Sequence, residues 1–444
     1  MRRAFSIAAL FASACSFNNP GEAPPRGKIY FPTAIAIADD HLLVANSNFD
    51  IRYNAGSLQA YDLAVLNEQV DACLEDPEAA GCDCGTHRPC ELPDTESLLG
   101  ERGEVLIGSY ASQIAFSPAR ARIYVPTRSN GGLTYIEFVD GVLDCGQEGR
   151  RCSASHIAGV DPNEQGVAMP NHPSSIAVGD AASLGLSGGG DFVLVGDENG
   201  SVSLFTDSEE TGAPTLAHVR SGSAEVTSIA TAGSYAYVAT DSFLLRNNSS
   251  GVRVLGFADL SSQAFRGSYV REDLILSGFA ARPPVRSLAF LPGSTTEFVA
   301  ATTSSPSALV RVDIAAERQR PFEVLTESIV SLGTGPSKVQ VGSVGTDPRV
   351  FAFVSCFDSR EVMVVDVELG RLVSVIQGAT GPFSLALDTP RARLYVGDFR
   401  SSTVRIVDLQ PLVSRDAVTP DTVDQASPRV IAILGRPSEV QALQ

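Results

Sequence analysis

Four strand-like segments recur in a fixed order seven times along this chain, and no other feature of its 444 residues limits the fold so tightly. The first segment reads TAIAIA around Ile35, SQIAFS around Ile114, SSIAVG around Ile176, TSIATA around Ile229, RSLAFL around Leu288, SKVQVG around Val339 and FSLALD around Leu385. The second reads HLLVAN, RIYVPT, FVLVGD, YAYVAT, EFVAAT, VFAFVS and RLYVGD, commonly ending in a small residue and then Asn, Asp or Thr, a composition that favours a turn. The third, from SLQAYDL through LTYIEF, SVSLFT, VRVLGF, LVRVDI and EVMVVDV to TVRIVDL, alternates as half-buried strands do. A short fourth segment (EVLIG, SHIAG, LAHVRSG, LILSG, IVSLG, SVIQG, VIAILG) carries a Gly at the crossing to the next unit.

Successive first segments lie 46 to 79 residues apart. Four antiparallel strands per unit at that spacing predict an all-β chain, a seven-bladed β-propeller of four-stranded antiparallel blades. A single unit would leave both faces of a small sheet in water. Packing sheet against sheet around an axis buries them, so the ring is one cooperative domain, here residues 27–444. A pair of β-sandwiches also uses many short strands but has no sevenfold grammar. ARLYVGDFRSSTVRIVDL and ARIYVPTRSNGGLTYIEF resemble the YVTN-type repeats of bacterial exported β-propellers, a resemblance running from Gly27 to Gly435. Segments such as LVGD and FVSC depart from the family's tyrosine and asparagine. The resemblance implies a propeller; because the family includes surface binding proteins and lactonase-like enzymes, it implies no single activity. For ring closure, the C-terminal GRPSEVQALQ rewrites the start of a first strand and the N-terminal GKIYF looks like a fourth strand, so either terminus could latch blade 7 to blade 1.

The opening MRRAFSIAALFASAC places Arg2 and Arg3 before an apolar run that ends in small residues, which reads as a signal peptide over residues 1–14, too short to span a bilayer. ASAC resembles the lipobox of bacterial lipoproteins, which implies a lipidated Cys15 and a lipid anchor to the membrane; Ala12-Ser13-Ala14 also reads as a site for simple secretion. The polar, Pro/Gly-rich residues 15–26 read as a flexible tether. The expected location is the bacterial cell envelope, in the periplasm or at the cell surface.

Cysteine usage agrees with export. Cys73, Cys82, Cys84 and Cys90 crowd the insertion at 64–103, and Cys145 and Cys152 share a second loop; even-numbered clusters in an oxidising compartment are read as disulfides. The four-cysteine loop admits three internal pairings. A zinc site with His87 is the competing reading, but Cys82 and Cys84 lack the two-residue gap that suits one tetrahedral ion. Cys356, within VFAFVSCF, is expected to be a buried, inert thiol.

Several chemistries find no support. Fifty-one acidic against thirty-three basic residues give a net charge of −18, which repels nucleic-acid phosphates, so no nucleic-acid partner is expected. Five scattered histidines, no Trp and no C-x-x-C-H argue against copper, quinone and c-type haem propellers, so neither metal nor cofactor is expected. Gly185 to Gly189 fit G-x-S-x-G, but Ser187 lies in a loop leading into a strand and not between strand and helix. GDENGS around Asp197 is far short of a calcium loop and reads as a tight turn.

Two regions remain for function. The joints between third and fourth strands carry long insertions at Ala64–Gly103, Val139–Ala154, Ala258–Asp273 and Gln410–Pro428, so blades 7, 1 and 2 would form one decorated edge that binds an envelope protein or glycan. On the opposite face Asn46, Arg128, Asp197, Asp241 and Asp398 follow the second strands and could ring the axial opening. The first expectation is a noncatalytic envelope scaffold; the alternative, a lactonase-like hydrolase, requires acidic or histidine side chains converging at that opening.

Overall fold

Each of the seven four-strand units forms its own antiparallel sheet in the computed structural model, and the seven sheets close into a β-propeller. The structure describes residues 21–85, 89–160, 168–184, 190–222, 224–232, 235–241, 251–256, 271–274, 276, 283–302, 307–314, 325–413 and 427–437. The signal segment with Cys15, together with His87 and Ser187, lies outside them. The first strands, from Pro32–Ala38 in blade 1 to Pro382–Asp388 in blade 7, pair with the second strands, those with the third, and those with the fourth. Blade 5 is complete, with strands Val285–Phe290, Glu297–Thr302, Ala308–Asp313 and Leu325–Ser331. In blade 4 the fourth strand is Arg271–Leu274, upstream of the expected LILSG, because Val254 pairs with Arg271 while Leu276 drops into the core towards blade 5.

The core explains why no blade stands alone. Among the described residues there are seven buried apolar clusters, and each is shared by two neighbouring blades. Successive residues of a strand point to opposite faces, so Leu42 and Val44 pack towards blade 7 while Leu43 and Ala45 pack towards blade 2. Cys356 is buried in the cluster between blades 5 and 6, where burial first, with Glu361 adding to it, pushes its thiol up to about 12 and leaves it protonated.

The two cysteine-bearing insertions are built into this framework. The first opens with the helix Leu63–Glu75, whose N-terminus is capped by the Asp62 carboxylate accepting from the Ala64 and Val65 amides at 2.7 and 3.2 Å. Leu63, Leu66, Val70 and Cys73 recur at helical spacing and bury against the blade 7/blade 1 cluster. Disulfides Cys73–Cys82 and Cys84–Cys90 then bring the strand Cys90–Leu92 beside the outermost strand of blade 7, Arg429–Leu434, in parallel pairing, and the Gly435 amide donates to the Leu92 carbonyl at 3.0 Å. The insertion from blade 1 therefore latches blade 7. Blade 1 comes wholly from the N-terminal part of the chain and blade 7 wholly from the C-terminal part, with GKIYF outside any strand and residues 438–444 outside the described residues.

The second insertion turns back on itself at Asp140 and Gly141, both at positive φ (50° and 78°), so that Val142–Asp144 pairs with the third strand of blade 2. Disulfide Cys145–Cys152 holds the remainder across the outer strand of blade 1, where Leu106 bonds the backbone of Arg150 and Cys152. Residues 21–26 are held on the ring: the Arg26 guanidinium donates to Gly100 and Glu101 carbonyls at 2.7 and 3.0 Å, and Asn54 holds Gly21 and Glu22.

Candidate functional site at the axial mouth

Antiparallel pairing places the start of each first strand beside the end of each second strand, as Pro32 faces Asn46 and Pro382 faces Asp398. The second-to-third turns and the blade-to-blade crossings therefore share one face. They surround an axial funnel of about 1890 Å³ lined from all seven blades. Its wall is stitched by a hydroxyl residue that begins most first strands. Thr33 donates to the Ala111 carbonyl at 2.7 Å, Thr227 to Val285 at 2.6 Å, Ser337 to Phe383 at 3.2 Å, and Ser174 to Val226, each bond crossing to the next blade. The next position accepts from the following blade: Gln113 from the Ile176 amide, Ser228 from Leu288 and Ser287 from Val339.

At that second position blade 6 has Lys338, which lines the funnel. An ammonium has no acceptor and cannot make the bond its counterparts make. Among the described residues its amine has no hydrogen bond and no ion pair. Burial lowers it from an ordinary 10.5 to about 8, and no carboxylate counteracts this. The other cations of the wall are matched: Arg128 pairs with Glu198, and Arg286 with Glu225 at 3.1 Å. The Glu225 carboxyl is raised, first by burial; Arg286 opposes this, and Glu198 and Asp241 add to it.

On the side of blades 6, 7, 1 and 2, six aromatic rings form a continuous terrace. Phe399 is its hub, with centroids 5.1 Å from Phe31, 5.4 Å from Phe49, 5.8 Å from Phe383 and 6.2 Å from Phe357; Tyr110 continues it 5.9 Å beyond Phe49. Interplanar angles of 41° to 78° among these pairs make it a surface of tilted edges, not a flat platform. Phe49 remains 55% exposed and Phe383 37%. Phe31 and Tyr110 sit at φ of 47° and 59°, in the left-handed region that bulky residues avoid, held by the bond from the Phe31 amide to Ser402 and by the 2.6 Å bond from the Tyr110 amide to the Ser47 carbonyl.

The five polar residues that follow the second strands divide. Arg128 and Asp241 line the funnel. Asn46, Asp197 and Asp398 are buried and turned into the fold: Asn46 accepts from the Tyr30 amide and donates to Ser57, Asp197 accepts from the His172 and Asn199 amides, and Asp398 accepts from the Thr380 and Gly381 amides and pairs with Arg405 at 2.6 Å. Burial raises the Asp398 carboxyl, but Arg405 and the Thr380 donors together hold it below the ordinary carboxylate value. Sequence reasoning passed over Lys338, although SKVQVG is the only first segment with a charge at that position, and the terrace, although NFD, CFD and DFR place Phe after the second strand in the adjacent units 1, 6 and 7.

Among the described residues no three His, Cys, Asp or Glu side chains gather where they could hold a metal ion, and no helix is long and apolar enough to cross a membrane. No protein-family model matches the sequence, and no curated protein does. Solved structures do. The Kuenenia stuttgartiensis hydrazine synthase structure is similar over 86% of this chain and 96% of that one, at 10% identity and a TM-score of 0.56. The Dos1 propeller aligns over 88% and 84%, at 14% identity and a TM-score of 0.49. At such identities the likeness is one of fold. The three disulfides fit an oxidising environment outside the cytoplasm.

Proposed function

We propose that this chain is a noncatalytic propeller of the cell envelope that receives a protruding apolar segment of a partner protein at its axial mouth. The observation that carries this reading is the aromatic terrace, partly exposed and held on strained backbone at the rim of a deep funnel. Tilted, edge-presenting rings suit branched or aromatic side chains of a peptide better than the flat face of a sugar, which stacks on a planar platform. The cysteine-bearing insertions, by contrast, bury the apolar stripe of their helix and their cystines on the ring, and the large apolar side chains they leave exposed, Val65, Leu74, Val139 and Val142, are none of them aromatic. The hydrolase alternative asks for free carboxylates converging at the mouth, whereas two of the four acidic side chains that line it, Glu198 and Glu225, are paired with arginines.

The YVTN-type repeats and a lipidated Cys15 belong to this proposal. Gly21 is held at Asn54, in the second-to-third turn of blade 1 on the rim. Six residues of extended chain reach about 20 Å. An anchor at Cys15 would keep the mouth near the membrane and make a membrane-proximal protein the natural partner.

A peptide-display selection on the purified protein tests the reading, with a glycan array run in parallel. Selected peptides should be rich in aromatic and branched residues and should lose about tenfold or more in affinity against Phe49→Ser or Phe383→Ser, since each ring covered by a ligand contributes about 1.5 kcal/mol or more. Peptide affinity unchanged by both substitutions, or binding to glycans alone, overturns it.

A further inference from the structure

We infer that Lys338 forms an anion subsite in the wall of the funnel, so that the ligand taken at the mouth carries a carboxylate beside its apolar group. This rests on the mouth being the binding site, and it names the chemistry of what binds there.

Four observations converge. The chain has only two lysines, Lys28 and Lys338, among its 33 basic residues. Everywhere else in the described funnel wall the cation is an arginine already matched to a glutamate. Second, the register position of Lys338 holds Ala34, Gln113, Ser175, Ser228, Ser287 and Ser384 in the other blades, so a charge there answers no requirement of the repeat. Third, the Ser337 hydroxyl, next to Lys338 in the chain, reaches the Phe383 carbonyl of the next blade at 3.2 Å, which sets Lys338 beside blade 7. Fourth, Phe383 belongs to the terrace and lines the same funnel, so apolar contact and anion contact lie side by side.

A compact ammonium with three donors matches the oxygens of one carboxylate. In a confined cavity, charge-assisted hydrogen bonds of this kind are roughly twice as strong as neutral ones. Burial without a partner lowers the amine to about 8, still mostly protonated at neutral pH, and an arriving carboxylate raises it again.

The test uses 3-phenylpropionate, which joins a ring to a carboxylate, and its neutral counterpart 3-phenylpropanamide. Lysine-selective 13C labelling yields two Cε signals, with exposed Lys28 as internal reference. The acid should shift the Lys338 signal, leave Lys28 unmoved and bind about tenfold more tightly than the amide. Lys338→Met should erase that preference while keeping amide binding, and Lys338→Arg should restore part of it. Equal binding of acid and amide, or an unmoved Lys338 signal in saturating acid, overturns the subsite. Phe49→Ser is expected to weaken acid and amide alike, which separates a failure of the terrace from a failure of the subsite.

Discussion

Replacing Cys84 and Cys90 by alanine should open the ring at one place. The loop between them closes seven residues, and the chain-entropy relation assigns such a cross-link about 2.4 kcal/mol at 25 °C. What it constrains is Cys90–Leu92, whose residues pair with Ala432, Ile433 and Leu434 at the outer edge of blade 7. Alanine introduces no buried hydroxyl at Cys90, which is only 6% exposed, so the loss stays close to the entropic figure plus a small packing term. The cost should appear locally, as roughly a fiftyfold rise in the opening constant of the latch, before it lowers global stability. Native-state hydrogen exchange reads this directly. The amides of Ile431–Leu434 and Gly435 should lose protection in the double variant, and in the native protein under reductant, while Val299–Ala301 in blade 5 keep theirs. Protection lost evenly around the ring, or unchanged at blade 7, would show that the insertion does not close the propeller.

Other outcomes follow from buried charge. Lys338→Met should stabilise the protein at pH 7: a drop from 10.5 to about 8 corresponds to about 3 kcal/mol at most, reduced to about 1–3 kcal/mol because the side chain is half-buried in a water-filled funnel. The unfolded chain holds more protons between pH 8 and 10.5, so native stability rises across that window and the advantage of Met should vanish above it, as denaturant titrations at successive pH values would show; a gain independent of pH would count against the cause given. Asp398→Asn should cost about 3–5 kcal/mol, because it leaves Arg405 buried and unmatched. The Asp398 carboxyl lies below its unfolded value, so its contribution is present above about pH 4 and is lost as pH falls through the folded value; the variant should therefore show a shallower acid limb in thermal melts.

The architecture was legible because each blade repeats one register, and a one-residue slip would turn every apolar side chain away from its neighbour. Clusters that alternate sides along HLLVAN or RLYVGD are the physical form of that pattern. The disulfide partners were not legible, since spacing alone leaves three pairings open for four cysteines. The latch was hidden for another reason. LAVLNEQVDAC carries a helical period within a cysteine-rich insertion, and the parallel pairing of Cys90–Leu92 joins residues more than 300 positions from their partners. The axial ring was only half legible. A polar residue after a second strand is needed to bracket the turn, as Asn46, Asp197 and Asp398 do, and sequence does not separate that duty from lining a cavity.

The two faces of the propeller differ in how their unfavourable features are resolved. On the face of the insertions many of these features find partners within the chain: the helix Leu63–Glu75 buries its apolar stripe, Val142–Asp144 pairs, and three disulfides fix the loops, while Val65, Leu74 and Val139 stay exposed. At the mouth fewer do. Phe31 and Tyr110 hold strained backbone, Phe49 shows more than half its surface to water, the hydroxyls of Ser47, Ser112 and Ser384 lack partners among the described residues, and Lys338 has no counter-ion there. Each costs stability, and none is required to stack seven sheets, since other blades meet the same register with Ala, Ser or Gln. A ligand that covers the rings and supplies an anion would resolve these features together. The face whose chemistry is incomplete in the isolated chain is therefore the one to which function is assigned.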